Sequence, residues 1–574
     1  MNDRMTQPSA DARSAIAPAL WLDRATATHA RAALLLVLAA LVLFLPGFVG
    51  LAPMDRDEPR FAQASKQMLE TGDYVDIRFQ TEARHKKPVG IYWLQVGAVR
   101  AAEAAGLSGA RAEIWVYRLP SLAGALASVL LTWWAALAFV SRRGAFLAAL
   151  LFGATILIGV EARLAKTDAV ITATVVAAMG AMARVVLDSA RAGWRDAAVF
   201  WTAIALGILV KGPITPMIPL FAGVALAIRD RGAPWLARLR PGWGLLWCAL
   251  VAAPWLIAIL LKTRGQFLQD SVGQDMLGKV ASGKEAHGAW PGTYFAVFWA
   301  TAWPLAPFAA LAAPFMARMR RDPAVFFLLA WIIPGWLLFE LVPTKLPHYV
   351  LPLYPAIAIG AVLAVERGAL SLDAVWRKAV FALLPLLAAA VAVVAYALCA
   401  RAGASAATLA GVTLLGAAAV AASVFSWSSA GQGRWPTAAL GAVASAALAY
   451  ALAWHFVMAG PGFSPYRLSP RLAEAARAAA GPGCVAEIAT ISYREPSLVF
   501  LTRTDLGMTD AVGAAKFLRA APCRVALVEK ASEARFLAEF ADAPAPLLSS
   551  RVVGTNLNGG KTLDIGVYVR QGSP

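Results

Sequence analysis

Cysteine is scarce, four in 574 residues, none of the four falls in a CxxC pattern and HExxH is missing, which removes a structural zinc framework. Cys248 and Cys399 lie inside apolar runs and read as small hydrophobes, whereas Cys484 and Cys523 share one C-terminal segment and could pair if that compartment is oxidising, their separation in space being open. No glycine-rich nucleotide loop is present; Gly559 and Gly560, after Asn556 and Asn558, read as a hairpin turn. No clear internal repeat appears, which argues against a transporter built from inverted halves. Nor does any basic helix carry the interleaved aromatics of a single-strand binder, so the net charge of +18 calls for something other than nucleic acid.

What the chain has in excess is apolar sequence, 59% of its residues in long runs of Ala, Leu and Val, well beyond soluble usage. A membrane span needs about 20 such residues. About thirteen candidate spans can be read, centred near Leu41, Leu126, Phe152, Val176, Leu206, Ala222, Leu250, Trp303, Ala330, Ala358, Ala389, Leu414 and Ala446. The first, preceded by roughly thirty polar and charged residues, reads as a retained helix rather than a cleaved signal. Basic residues alternate consistently about these spans. One side receives Arg4, Arg13, Arg24 and Arg31, then Arg142 and Arg143, Arg184 to Arg195, Arg229 to Arg240, Arg318 to Arg321, Arg367 to Lys378, and Arg434. The positive-inside rule makes that side cytoplasmic, and its arginines facing an anionic leaflet account for most of the net charge.

The expected fold is therefore a polytopic α-helical membrane protein with a small C-terminal α/β domain on the outer, periplasmic side. A cytoplasmic N-terminus covers 1–31, the membrane domain 32–459 with outer loops near 53–115 and 263–292, and the α/β domain 460–574. The Gly-, Pro- and Ser-rich AGPGFSPYRLSP from Ala459 reads as the linker. Beyond it PRLAEAARAAA suggests a helix, and CVAEIATIS, SLVFLTR, CRVALVEK and LDIGVYVR suggest strands.

Chemistry concentrates at the outer boundary. The first outer loop opens with Asp55, Asp57 and Glu58, continues as a helix whose Phe61, Ala62, Met68 and Leu69 would face the membrane surface, and then reaches Arg84, His85, Lys86 and Lys87. With Lys166, Lys211, Lys279, Lys284, Lys345 and His348, these form a set of outer cations that the positive-inside rule does not predict. Ammonium groups near a span cost a few kcal/mol unless paired, so an anionic partner is expected, and a phospholipid-like phosphate suits it. Lys211 precedes Gly212-Pro213 and Lys345 sits between Pro343 and Pro347, so proline-broken helix ends would hold both at the boundary. Simpler readings stand beside these. The first acids could cap a helix, Asp168 could be an N-cap beside Thr167, Lys345 could snorkel, and Tyr349 could belong to an aromatic interface belt. His85, His287 and His348 read as hydrogen-bonding loop residues rather than metal ligands, and GAWPGTYFAVFWATAWP from Gly288 as lipid-facing packing.

The ordered set of the DRDE loop, KKP, ARLAKTDAVI, LVKGP and PTKLPHYVLPLYP resembles the bacterial aminoarabinose transferase family, within the GT-C class of membrane glycosyltransferases that also holds protein O-mannosyltransferases. The resemblance runs over most of the chain. It implies transfer of a sugar from an undecaprenyl-phosphate-type carrier to lipid A or another lipopolysaccharide component at the outer face of the inner membrane, with inversion and with no nucleotide sugar. Carried over by motif, Asp57 and Glu58 match the family's first-loop acids with Asp55 an extra one, and Asp168 matches its second aspartate. Lys87, Lys211, Lys345 and Tyr349 match its lysines and tyrosine, with Lys86 and Lys279 additional candidates for the carrier phosphate or acceptor. Two departures are visible. Lys86-Lys87-Pro88 stands where Glu-Lys-Pro is usual, which puts a divalent cation in doubt and favours a more anionic sugar or acceptor, and Lys279 or Lys284 stands in for a loop arginine. A protein hydroxyl acceptor is the nearest alternative, and a flippase a lower one because ionisable residues gather at the boundary rather than deep in several spans.

Overall fold

Helices form wherever the apolar runs lie, because inside a bilayer a backbone can satisfy its own polar groups only that way. The computed structural model describes residues 21–54, 56–188, 193–271, 273 and 289–570. Among the described residues, eight helices are long and apolar enough to cross a membrane, which makes the chain a multi-pass membrane protein: Ile114–Ala136, Asp168–Leu187, Pro241–Thr263, Pro323–Leu341, Pro347–Glu366, Val375–Arg401, Ala406–Gly431 and Trp435–Met458. The other expected spans are helical but shorter or interrupted. The one near Leu41 is α1 (His29–Phe44), and the one near Phe152 is broken at Ala154-Thr155 into helices Arg142–Gly153 and Ile156–Glu161. The one near Trp303 is likewise broken at Pro304, into Thr293–Thr301 and Leu305–Arg318.

The first outer loop is itself structured. It holds helix α2 (Asp57–Thr71), a two-strand hairpin of β1 (Arg78–Phe79) and β2 (Glu82–Ala83), and helix α3 (Gly90–Ala104), ahead of the first long span α4 (Ile114–Ala136). The amphipathic face of α2 does not meet the membrane surface as expected. Phe61 and Met68 pack with Tyr92, Ile91 and Trp255, and Ala62 and Leu69 pack with Tyr117, Val116 and Phe500, so protein covers the whole face. Hydrophobic periodicity fixes which side of a helix is apolar but not what covers it.

Beyond a short 3-10 turn, Pro461–Tyr466, the C-terminal domain begins with helix Leu468–Ala480. The linker is held rather than loose, since Arg467 donates to the Met458 and Gly460 carbonyls. A five-stranded sheet runs in the order β4 (Gly507–Thr509), β3 (Glu487–Ile491), β5 (Arg524–Glu529), β7 (Thr562–Val569), β6 (Leu547–Thr555), parallel for the first three and antiparallel after. Asn556–Gly560 makes the expected hairpin turn, closed by Asn556 N–H to Lys561 O at 2.9 Å. The expected strand SLVFLTR is instead a short helix, Pro496–Leu501. Proline pre-sets the dihedral of a first helical turn, and a short apolar run does not distinguish a buried strand from a buried helical turn.

Cys484 and Cys523 form a disulfide, Cα to Cα 5.5 Å, tying the segments that lead into β3 and β5. Closing the intervening loop restricts the unfolded chain by about 2–4 kcal/mol. Replacing both cysteines with serine is expected to lower the unfolding temperature of the C-terminal domain, measured by thermal melts in detergent, and to abolish the mobility difference between reduced and unreduced protein.

Candidate functional site

The site is assembled where the outer loop meets the ends of three helices. Helix α5 (Arg142–Gly153) and helix α6 (Ile156–Glu161) lead into the loop ARLAKT and then α7 (Asp168–Leu187), and α8 (Trp194–Lys211) returns beside it. Ser121 and Ser128 on α4 donate to the Lys166 and Ala169 carbonyls at 3.0 and 3.2 Å, fixing the start of α7 against α4. Gly212, at φ 71° and ψ −133°, ends α8 directly after Lys211. Gly90 lets α3 lie on that helix end, because a Cβ there would sit 2.8 Å from the Leu209 carbonyl oxygen. The Lys86-Lys87 turn is thereby brought toward Lys211.

Glu58 and Asp57 are neighbours with opposite fates. Glu58 is fully buried and binds Arg118 through two bonds, Nε to Oε1 at 2.7 Å and Nη2 to Oε2 at 3.0 Å. It also accepts from the Met54 and Ala165 amides at 2.6 and 3.0 Å. Both its oxygens are taken up by these four bonds, which tie the start of α2 to α4 and to the loop before α7. Asp57 is half-exposed and lies 3.9 Å from both Arg60 and Arg84, the latter buried with its guanidinium over the Phe61 ring. Burial alone would raise its carboxyl, but Arg84, Lys166, Arg60 and His348 together hold it below the usual carboxylate range, so it is ionised and ready to accept a hydrogen bond or proton.

Asp168 is buried at the start of α7. It takes the Lys211 ammonium on Oδ1, which sets aside the N-cap reading, since no side-chain cap bond is made there. Lys211 also lies 5.5 Å from the Tyr349 ring, over which it makes a cation–π contact. Lys166 is buried 3.6 Å from Glu161, and His348 stands between the two acids, 3.7 Å from Glu161 and 3.9 Å from Asp168. Lys345 is buried too, donating to the Val342 carbonyl at 2.8 Å rather than snorkelling outward. Lys87 is half-buried and Lys86 exposed on the turn between them and α3. Asp55, Lys279, Lys284 and His287 lie outside the described residues.

Glu161 and Arg118 escaped the sequence reading. Each is an ionisable residue in an apolar run, a signal that marks a paired or functional group in a membrane protein. Among the described residues, Glu161, Asp168 and His348 present ligand atoms within 4.8 Å of one another, a donor set of two carboxylates and one imidazole that suits a divalent cation. Lys211 on Asp168 and Lys166 near Glu161 already balance those carboxylates, so a cation would compete with both ammoniums. A second outer contact, His85 to Asp76 (2.9 Å) and to Asp270 (3.1 Å), fastens the first outer loop to the one after Thr263.

A family model described as dolichyl-phosphate-mannose-protein mannosyltransferase matches residues 86–257. An undecaprenyl phosphate-alpha-4-amino-4-deoxy-L-arabinose arabinosyl transferase of Aeromonas salmonicida is 28% identical over 343 residues, covering 56% of this chain and 58% of that protein. Its namesake in Erwinia tasmaniensis is 28% identical over 312 residues, 53% of this chain and 54% of that protein. The chain thus spans little more than half the length of these relatives. The crystal structure of ArnT from Cupriavidus metallidurans bound to undecaprenyl phosphate superposes with a TM-score of 0.72 at 18% identity, over 93% of this chain and 97% of that one. The resemblance read from the motifs is therefore found in the family model, the sequence relatives and the fold.

Two predictions separate the roles. Glu58→Ala leaves Arg118 buried and unpaired, which costs about 3–5 kcal/mol, and is expected to lower the melting temperature in detergent sharply, whereas Asp57→Asn melts near wild type. For His85, the hydrogen bond to Asp76 leads, with Asp270 adding to it and burial opposing, and the pKa is raised above its ordinary 6.5. The folded state then binds the proton more tightly than the unfolded one, so the stabilisation is full below about pH 6.5 and is lost as pH rises through the raised folded value. The gap in melting temperature between wild type and His85→Gln is expected to be widest in mild acid and to narrow on the alkaline side.

Proposed function

We propose that this protein transfers a sugar from a polyprenyl-phosphate carrier to lipid A or another lipopolysaccharide component at the periplasmic face of the bacterial inner membrane. The observation that carries the reading is the boundary cluster in which Asp57, Glu161 and Asp168 meet Arg84, Lys166 and Lys211 beside the Tyr349 ring, with the Asp57 carboxylate half-exposed. The relatives named for undecaprenyl-phosphate-linked aminoarabinose support the donor class, and the Cys484–Cys523 disulfide supports an oxidising compartment for the C-terminal domain. The arginine alternation agrees with that orientation and with about thirteen crossings.

In this mechanism the carrier phosphate lies among Lys87, Lys211 and Lys345, with Tyr349 donating a hydrogen bond. The bond between the anomeric carbon and the phosphate oxygen breaks as the acceptor oxygen attacks from the opposite face, which inverts the anomeric centre. The electron pair of the broken bond stays on the phosphate, whose growing charge the ammoniums stabilise. Asp168 holds Lys211 in place. Asp57 orients the acceptor and takes its proton when that acceptor is a hydroxyl; a phosphate acceptor, already ionised, needs only the orientation. Lys86 beside Lys87 favours an anionic sugar or acceptor.

Mass spectrometry of lipid A and core oligosaccharide tests this in the native host, comparing wild type, a deletion, and the deletion complemented with Asp57→Ala or Lys87→Ala. The expected result is loss of one pentose- or uronic-acid-sized mass in the deletion and in both variants. An unchanged lipopolysaccharide profile would overturn the acceptor and direct attention to envelope glycoproteins.

A further inference from the structure

We propose that Glu495, carried by the C-terminal domain, is a positioning residue for Asp57 and acts through Arg56. The proposal rests on the transferase reading for its kinetic arm and on geometry alone for its structural arm.

Arg56 directly precedes Asp57 at the start of α2, and its Nη2 reaches Glu495 Oε1 at 3.3 Å. Glu495 is buried, and it is fixed from the far side by the β6–β7 turn. Asn556 Nδ2 donates to Oε1 at 2.9 Å and Asn558 Nδ2 to Oε2 at 2.8 Å. That turn is rigid in its own right, with Gly560 N–H on the Asn556 carbonyl at 2.8 Å and Asn558 N–H on Asn556 Oδ1 at 3.0 Å. A carboxylate so held is an anchor, and the side chain it anchors belongs to the residue next to the open acid.

The rest of α2 is fastened to the same domain. Gln63 donates to Thr504 Oγ1 at 2.7 Å, Thr504 donates to Glu70 at 2.7 Å, and Lys66 donates to the Phe500 carbonyl at 3.2 Å. Gln80, just past β1, donates to the Thr504 and Leu506 carbonyls, both at 3.0 Å. Phe500 is fully buried edge-on against Tyr117, ring centroids 5.3 Å apart. The crevice where the domains meet, lined by Met54, Tyr466, Tyr493, Glu495 and Asn558 among others, measures about 30 Å³, room for a water or two. The junction is thus a packed joint, too narrow to hold a sugar.

Asp57 therefore sits between two clamps: Glu58 ties α2 inward to Arg118, and Arg56 ties it outward to Glu495. Among the described residues its own carboxylate has ion pairs at 3.9 Å, too long to fix its position, so the backbone on either side does so. A misplacement of about 1 Å in a reacting geometry lowers turnover on the order of 100-fold, and release of one of the two clamps is expected to have part of that effect.

The test uses the full chain in nanodiscs, with Arg56→Ala, Glu495→Ala and the double variant. With a polyprenyl-phosphate sugar donor, each single variant is expected to lower kcat about 10-fold with KM for the donor unchanged, and the double variant is expected to be no worse than either single one. Additive losses, or a loss expressed in KM, would overturn the proposal. Independently of activity, hydrogen exchange at the amides of residues 60–64, the first that a helix begun at Asp57 can pair, is expected to quicken in Glu495→Ala while β5 and β7 stay protected. Unchanged exchange at those amides would also overturn it. A wild-type protein that transfers no sugar from any such donor would sink the functional reading and leave the exchange result to decide the brace.

Discussion

The arrangement of the site depends on one buried ion pair. Arg118 spends its guanidinium on Glu58 and on the carbonyls of Phe48, Leu51 and Ala52, at 2.7 to 3.1 Å. Glu58 in turn receives the amides of Met54 and Ala165. In a membrane boundary, where the carbonyls after α1 have no helix to continue into, those partners remove groups that would each cost several kcal/mol unpaired. Taking two charges out of water is itself expensive, and only this dense bonding offsets it. The same knot joins the end of α1, the start of α2, α4 and the loop before α7. Asp57 follows one strand of it and Asp168 another, so the distance between the two acids is set by a pair that touches neither.

Charge balance explains why that geometry suits a phosphate. The carboxylates of Asp57, Glu161 and Asp168 face Arg84, Lys166 and Lys211, with Lys87 and Lys345 close along the chain. Each desolvated ammonium is a cost in a membrane protein. In the proposed transfer that cost is offset when a phosphodiester enters, and more so as its C–O bond breaks and a second charge develops on the phosphate. Lys211 is in the better position to respond, since Asp168 holds its ammonium on one side and the Tyr349 ring on another.

Much of this was legible in the sequence, and what was not has identifiable causes. Lys211 and Tyr349 are legible because glycine and proline fix the helix ends on which they sit, Gly212 after Lys211 and Pro347 before Tyr349, whereas Asp168 is reached only through the motif that holds it. The hairpin turn at Asn556–Gly560 and the helix from Leu468 could be read for the same local reasons. Asp57 and Glu58 differ in surroundings because adjacent positions at a helix start differ by about 100° in direction, so one faces the protein and the next the opening. No motif distinguishes them. The covered face of α2 is not legible because its cover is distant in the chain, from Tyr92, Tyr117 and Trp255 to Phe500, and SLVFLTR reads as a strand because a short apolar run does not distinguish a buried strand from a buried helical turn.

That long-range docking also bears on the departure at Lys86. Lys86 is an exposed second lysine beside Lys87, and Asp57, Glu161 and Asp168 each lie within 4 Å of a cationic side chain. A cation held by Glu161, Asp168 and His348 would stand beside the Lys211 and Lys166 ammoniums, whose charge opposes its own. The proposed transfer needs charged side chains whose backbone is held still. Gly90 against Leu209 fixes the start of α3 just after the Lys86-Lys87 turn, and the C-terminal domain against α2 fixes the helix that begins at Asp57. Rigid protein contacts thus reach both ends of the first outer loop.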